Sequence, residues 1–291
     1  MGAPAAGPPD APFLRVAIAG LGLIGGSIAL AARRRWPGIT IVGVDRPAVV
    51  AEADARHLVD RASINLGAMD EADLVILAAP VFANVELLSQ LSRAISHTAI
   101  VTDTGSTKRA IAAAAAGLPD RLIFAGGHPM AGGADGGLSA ARADLFDGRP
   151  WLLATADIPA AAGKRLMAFV EGLGARPVAV DAETHDRVLA YVSHLPQLAA
   201  SALMDVVGAG VGEPGLAWSG RGLADTTRLA ASEATIWRDI VSSNRDNVGE
   251  ALDALIAALQ ALRGDLDSGA ELERIFTSAA RWRAALTVRT G

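Results

Sequence analysis

A short glycine pattern near the N-terminus constrains this chain most. Gly20-Leu21-Gly22-Leu23-Ile24-Gly25 fits G-x-G-x-x-G. It follows a strand-like run over residues 15–19 and opens a helix-like stretch over 27–35. A second strand, over 39–44, leads into Asp45, about 20 residues past Gly25. That is the spacing of an acid that holds a ribose hydroxyl.

The backbone supplies the chemistry of such a loop. Gly20 permits a tight turn, Gly22 lets a pyrophosphate approach, and Gly25 lets helix pack on strand. The helix start then offers unpaired N–H groups and a partial positive charge to the phosphates. Leu23 and Ile24 within the loop, and Pro80 at the end of a later strand, complete the expected dinucleotide contacts. Asp45 favours NAD, because its carboxylate accepts from a ribose 2′-hydroxyl and repels a 2′-phosphate. Arg46 keeps NADP as the alternative, since a guanidinium holds a 2′-phosphate.

Strand-like runs continue at 74–79, 99–102, 122–125, 151–154 and 177–180, with helical stretches between them. This alternation predicts a parallel sheet covered on both faces. Past Asp181 the texture turns helical, over 188–207, 225–234, 237–262 and 270–286, with a glycine-rich break at 208–215. The expected organisation is a dinucleotide-binding α/β domain over 13–180, then a helical domain over 181–291. Residues 1–12, rich in proline, read as a disordered tail rather than a signal peptide.

Composition narrows the partners. A net charge of −5 argues against a nucleic-acid-binding face, which needs a basic stripe. The hydrophobic share of 51 % is ample for a core. Cysteine is absent, which excludes thiol catalysis and suits a reducing, cytoplasmic setting. The longest uncharged run, residues 16–32, only touches the lower limit for a membrane helix, and its glycines weaken it further, so no membrane partner is expected. No His and carboxylate grouping has metal-ligand spacing, so no metal is expected either.

Four polar stretches carry the remaining signal. Residues 103–108 (DTGSTK) follow a strand, where open α/β sheets bind ligands; Ser106 is there either for a ligand or as a helix cap. In residues 126–132 (GGHPMAG), His128 is flanked by Gly-Gly and Pro and reads as a loop histidine. It is either a general base or a structural residue bonded to backbone. In residues 193–197 (SHLPQ), Pro196 forces a kink or a late helix start that turns His194 and Gln197 toward a cleft; the alternative is a buried, bonded histidine. Residues 225–228 (DTTR) end in Arg228, which by pattern alone is a surface residue. His57, His97 and His185 have no supporting pattern and read as surface residues.

Taken together, GLGLIGGS (20–27), DTGSTK, GHPMAG (127–132), SHLP (193–196), DTTR and WRDI (237–240) resemble the prephenate/arogenate dehydrogenase family of tyrosine biosynthesis. They come in the family's order over nearly the whole chain, and the GHPMAG, SHLP and DTTR trio is the specific part. The resemblance implies a Rossmann-type domain followed by an all-α dimerisation domain, hence a homodimer, with a small-molecule substrate. Prephenate would give 4-hydroxyphenylpyruvate; arogenate would give tyrosine. His128 matches the catalytic histidine, Ser106 the serine that bonds it and the reacting hydroxyl, and Arg228 the arginine that grips the side-chain carboxylate. His194 falls on the substrate side. Gln197 stands where many prephenate-type members carry a second histidine; a neutral amide can accept from arogenate's ammonium, which tilts the reading toward arogenate or both substrates. Leu223-Ala224 replaces the family's aromatic-basic pair, and Pro-x-Met is missing before Trp237. At this length neither a fused mutase nor a regulatory domain is expected.

Two other readings share the glycine loop. A β-hydroxyacid dehydrogenase would need a catalytic lysine in the helical part, but the lysines, Lys108 and Lys164, both precede residue 181. A nicotinamide-binding redox sensor would bind cofactor without turnover.

Overall fold

The computed structural model describes residues 11–132 and 136–287, so most of the expected tail lies outside the described residues. The chain divides into two compact units, residues 1–244 and 245–291.

The first unit is built on one sheet of eight strands: β1 (Arg15–Ala19), β2 (Thr40–Val44), β3 (Arg61–Ser63), β4 (Leu74–Leu77), β5 (Ala99–Asp103), β6 (Leu122–Pro129), β7 (Pro150–Ala154) and β8 (Arg176–Ala179). Their order is β3-β2-β1-β4-β5-β6-β7-β8. The first six strands are parallel, with helices α1 (Leu23–Arg35), α2 (Pro47–Ala55), α3 (Val81–Ala94) and α4 (Arg109–Ala115) in the connections. β1 shows why its residues form a central strand. Val16 and Ile18 join one buried cluster, with Phe146, Trp151 and Phe169; Ala17 and Ala19 join the other, with Leu88, Leu91 and Val101. Side chains alternate between faces and both faces are covered, so the run is apolar throughout.

The expected all-parallel sheet fails at one pair. β7 runs antiparallel to β6, because no crossover helix intervenes between them, whereas β8 returns parallel after α5 (Ala160–Gly172). This pairing lengthens β6 beyond the expected 122–125. It continues through Gly126, Gly127, His128 and Pro129, with His128 opposite Leu152. His128 therefore sits on a strand, not on a loop. Gly127 is required there, since a Cβ would lie 2.6 Å from the Asp103 carbonyl oxygen.

The helical part begins with α6 (Ala182–Leu189), capped by Asp181, whose carboxylate accepts from Thr184 N at 2.8 Å. A π turn, Ala190–His194, leads into α7 (Leu195–Leu216). The wide turn answers Pro196, which lacks an N–H and crowds the preceding turn of a regular helix; such turns recur at functional sites. The expected glycine break at 208–215 shrinks to a kink at Gly212, whose φ is +62°. Next come α8 (Arg221–Thr226), a 3-10 turn at Arg228–Ala231 and α9 (Ala234–Ser243). A continuous helix over 225–234 does not form: the Thr226 and Thr227 hydroxyls donate back to the Gly222 and Leu223 carbonyls where α8 ends. The expected helix over 237–262 breaks at Asn244, whose backbone is non-helical.

The stretch from Ala182 to Leu216 is long and apolar enough to cross a membrane by length and composition alone. It also carries buried His185, Asp186, His194 and Gln197, and its exposed apolar residues include Val192, Val206 and Val211. The expected boundary at 180 and the compact division at 244 differ for a physical reason: α6 is bonded to the sheet's own loops through Asp186. The second unit consists of α10 (Arg245–Gly264) and α11 (Ala270–Thr287), joined by a turn in which Asp265 accepts from Glu271 N at 2.6 Å. Its exposed apolar side chains include Leu259, Phe276 and Trp282.

Candidate active site

The glycine loop has the geometry its sequence demands. Gly20 has φ +98°, and a Cβ there would meet the Ala78 carbonyl oxygen at 2.6 Å. A Cβ on Gly25 would lie 1.9 Å from the Gly20 oxygen, so strand and helix touch through bare backbone. Nothing stands within 4 Å of a Cβ at Gly22, the side on which a pyrophosphate approaches. Gly22 begins α1 without a side-chain cap, leaving the first N–H groups to a ligand. Leu23 and Ile24 are half-buried; Pro80 is exposed at the start of α3. These residues fit a dinucleotide.

Asp45 is drawn into the loop. Its Oδ2 accepts from Leu21 N and its Oδ1 from Arg46 N, both at 2.6 Å. The Arg46 guanidinium lies 3.7 Å from the same carboxylate and is largely exposed.

A second constellation forms where β5 and β6 end. Asp103 and Lys108 make a buried ion pair, and Lys108 Nζ also donates to the Gly127 oxygen at 2.6 Å. Asp103 accepts from Gly127 N and Gly105 N at 3.0 and 2.7 Å. The backbone on the N-terminal side of His128 is thereby pinned. Ser106 is half-buried on the loop after β5; among the described residues no hydrogen bond joins it to His128.

His128 Nδ1 instead meets His185 Nε2 at 2.9 Å, and His185 Nδ1 meets Asp186 Oδ1 at 2.7 Å. Asp186 also accepts from Lys108 N at 2.7 Å and Arg109 N at 2.9 Å. The carboxylate thus sits on the open start of α4. Burial alone pushes the Asp186 carboxyl up. The hydrogen bond from His185 and those from the two N–H groups outweigh it and hold the pKa below the usual range. Burial takes His128 well below its ordinary pKa, and the neighbouring His185, Lys108 and His194 push the same way. His128 is neutral at pH 7.

On the helical side, His194 is buried in the π turn with its pKa lowered to about 4, chiefly by burial. Its Nδ1 lies 3.3 Å from Asn244 Nδ2 and its ring meets Trp237 edge-on at 6.1 Å. His194 Nε2 is buried and unpartnered among the described residues. Gln197 is buried too. Its Nε2 donates to the Leu229 oxygen at 2.8 Å and its Oε1 accepts from Ser232 at 3.2 Å. Gln197 therefore holds the turn that begins at Arg228, whose own side chain is exposed.

Comparisons with known proteins agree with this geometry. Residues 28–179 match the family described as "Prephenate dehydrogenase, nucleotide-binding domain" and 181–277 match "Prephenate dehydrogenase, dimerization domain". The chain belongs to the prephenate dehydrogenase family. It is 34 % identical to the prephenate dehydrogenase of Bacillus subtilis, over 94 % of this chain and 76 % of that protein. It is 35 % identical to the cyclohexadienyl dehydrogenase of Zymomonas mobilis, over 94 % and 96 %. Among solved structures, it resembles prephenate dehydrogenase from A. aeolicus in complex with hydroxyphenyl propionate and NAD+. The TM-score is 0.85 at 29 % identity, covering 94 % of this chain and 98 % of that one. Synechocystis arogenate dehydrogenase gives a TM-score of 0.80 at 28 % identity, over 94 % and 99 %.

This family member is accordingly an oxidoreductase of the prephenate/arogenate dehydrogenase type, with a Rossmann-type α/β domain followed by a helical dimerisation domain. The β-hydroxyacid and sensor readings give way to it. A 3-hydroxyisobutyrate dehydrogenase from Salmonella typhimurium, at TM-score 0.56 and 18 % identity, shares the fold alone. The sequence reading missed one residue of this buried cluster: His185 is fully buried against His128, not on the surface. Its only signal is adjacency to Asp186 at the start of a helix, a common pattern with no meaning until β6 is placed beside α6. His57 is exposed as expected, while His97 is half-buried on the Ala72 oxygen.

Proposed function

We propose that this chain oxidatively decarboxylates a cyclohexadienol, arogenate or prephenate, in tyrosine biosynthesis. One observation carries the assignment: His128, neutral and buried, is held at the end of β6, beside the β5 loop that bears Ser106. Residues 20–25 and Asp45 would hold NAD, which would supply the hydride acceptor. His128 accepts the C4 hydroxyl's hydrogen bond or proton as the hydride leaves, a contribution of typically 10²–10⁴-fold. Ser106 orients that hydroxyl. Arg228 grips the side-chain carboxylate through a charge-assisted contact, and its exposure leaves it free to do so. The leaving carboxylate needs no strong cation, which would stabilise the ground state.

NAD is favoured over NADP because Asp45 is fixed at the glycine loop, where its charge repels a 2′-phosphate. His194 and Gln197 line the substrate side, with Gln197 also supporting the Arg228 turn. The functional division falls at 180, with residues 13–180 for the dinucleotide and 181–291 for substrate and pairing. The exposed apolar side chains of α7, Leu203, Val206 and Val211, fit a second copy of the chain in a homodimer, and the cysteine-free sequence suits the cytoplasm. Following NADH absorbance with NAD and each cyclohexadienol tests the assignment. Turnover of at least one supports it, and binding of NAD without turnover of either sinks it.

A further inference from the structure

The overall conversion neither releases nor consumes a proton, and this bears on what stands behind His128. Hydride leaves C4 with its electron pair. The carboxylate leaves as carbon dioxide, and its C–C pair enters the ring. The product is a phenol, so a proton taken from the C4 hydroxyl must return to the same oxygen. The site needs a place to hold a proton briefly and no outlet to solvent.

The row of groups behind His128 has that form. Asp186 is a carboxylate and can only accept, so His185 Nδ1 carries a hydrogen toward it across 2.7 Å. With its one hydrogen on Nδ1, His185 presents a lone pair at Nε2, so the hydrogen in the 2.9 Å contact belongs to His128 Nδ1. His128 Nε2 is left with its lone pair for substrate. His185 and Asp186 are fully buried, so the row ends inside the protein. Other titratable groups face it from several sides: the Lys108 cation from the start of α4, the Arg109 cation with Nε 3.5 Å from Asp186 Oδ2, and His194 from the π turn.

We propose that His185, backed by Asp186, is the positioning residue that sets the tautomer of His128 and shares the substrate's proton until the phenol takes it back. The proposal rests on the cyclohexadienol reading. When His128 Nε2 takes the proton, His128 Nδ1 passes its own to His185 Nε2. Positive charge then lies between His185 and the Asp186 carboxylate, as in hydrolase triads where a buried aspartate steadies an imidazolium. The same two transfers run backward as the phenol forms, and no proton is gained or lost.

Nitrogen-15 NMR of histidine-labelled protein without substrate tests this, with His128→Asn used to assign the His128 signals. The wild type should carry the His128 hydrogen on Nδ1. Asp186→Asn puts an amide NH₂ among donors and should reverse the row, moving that hydrogen to Nε2. His185→Leu should lose the tautomer preference and lower kcat about 10²-fold, with KM for NAD unchanged. His185→Gln offers an oxygen to His128 Nδ1 but takes no proton. It should keep the tautomer, lower kcat about tenfold, and serve if the other variants fail to fold. A wild-type hydrogen on Nε2 overturns the proposal, as does unchanged kcat in His185→Gln or His185→Leu. An intact tautomer without turnover of either cyclohexadienol overturns the functional reading, and the relay's role with it.

Discussion

Lys108 Nζ donates to the carbonyl oxygen of Gly127, 2.6 Å away, so a buried cation grips the residue immediately before His128. The cation is neutralised by Asp103, which also accepts from Gly127 N at 3.0 Å. The peptide units on both sides of Gly127 are thus fixed by one ion pair. Removing one partner leaves the other charged and buried. Lys108→Met should destabilise the protein by about 3–5 kcal/mol in denaturant titration, in line with broken buried pairs. An unchanged midpoint would show that the pair contributes nothing to the fold.

His128→Asn should leave NAD binding intact and lower kcat by about 10²-fold or more, because the acceptor for the C4 hydroxyl is lost. Steady-state kinetics with a parallel NAD titration decide it. Near-wild-type kcat would remove His128 from the mechanism.

The pH dependence has a definite sign. The base works when neutral, and burial holds the His128 pKa well below 6.5, so the acid limb of kcat/KM should lie well below that value. Stability moves with it. His128 and His194, the latter at about 4, bind protons more weakly folded than unfolded. Between pH 6.5 and about 4 the unfolded chain holds more protons, so stability should fall as pH falls through that window. Thermal melts from pH 7 to 4 and a pH–rate profile check both. An acid limb at or above pH 6.5 would contradict the burial argument.

Asp45 accepts from two backbone N–H groups and stays at the glycine loop, while Arg46 is exposed and only 3.7 Å from it. The expected outcome is a higher kcat/KM with NAD than with NADP at one pH and salt. Asp45→Ala should narrow the gap by removing the charge that repels a 2′-phosphate. Preference for NADP in the wild type would mean that Arg46 governs the pocket.

Gln197 bonds the Leu229 oxygen and Ser232, next to Arg228. Gln197→His should favour prephenate relative to arogenate by about tenfold, or 1.4 kcal/mol, more so toward pH 6 as the imidazole charges and repels arogenate's ammonium. The ratio of the two kcat/KM values measures it. If only KM rises, equally for both substrates, then Gln197 supports the Arg228 turn and does not read the side-chain nitrogen.

Much of the α/β domain was legible because its signals are local. The glycine pattern and the apolar runs act through the residue's own backbone or its immediate neighbours, and the structure keeps them nearly where the sequence puts them. His128, Ser106 and Arg228 stood out by motif. Other features depend on distant partners. β6 reaches His128 only because β7 pairs with it antiparallel, and the helix expected over 237–262 is broken at Asn244, whose amide donates to the Asp186 carbonyl oxygen at 2.7 Å.

The sequence by itself determined that a nucleotide loop opens the chain and that helices close it, since periodicity and glycine sterics are short-range. Only the tertiary structure decided that His185 is a partner of His128. In the sequence 57 positions separate it from His128, and nothing local distinguishes it from a surface histidine. Burial strips water from the nitrogens that face one another, and each must then find a protein partner. That requirement, which no short stretch of sequence can express, joins His128, His185 and Asp186 into one row.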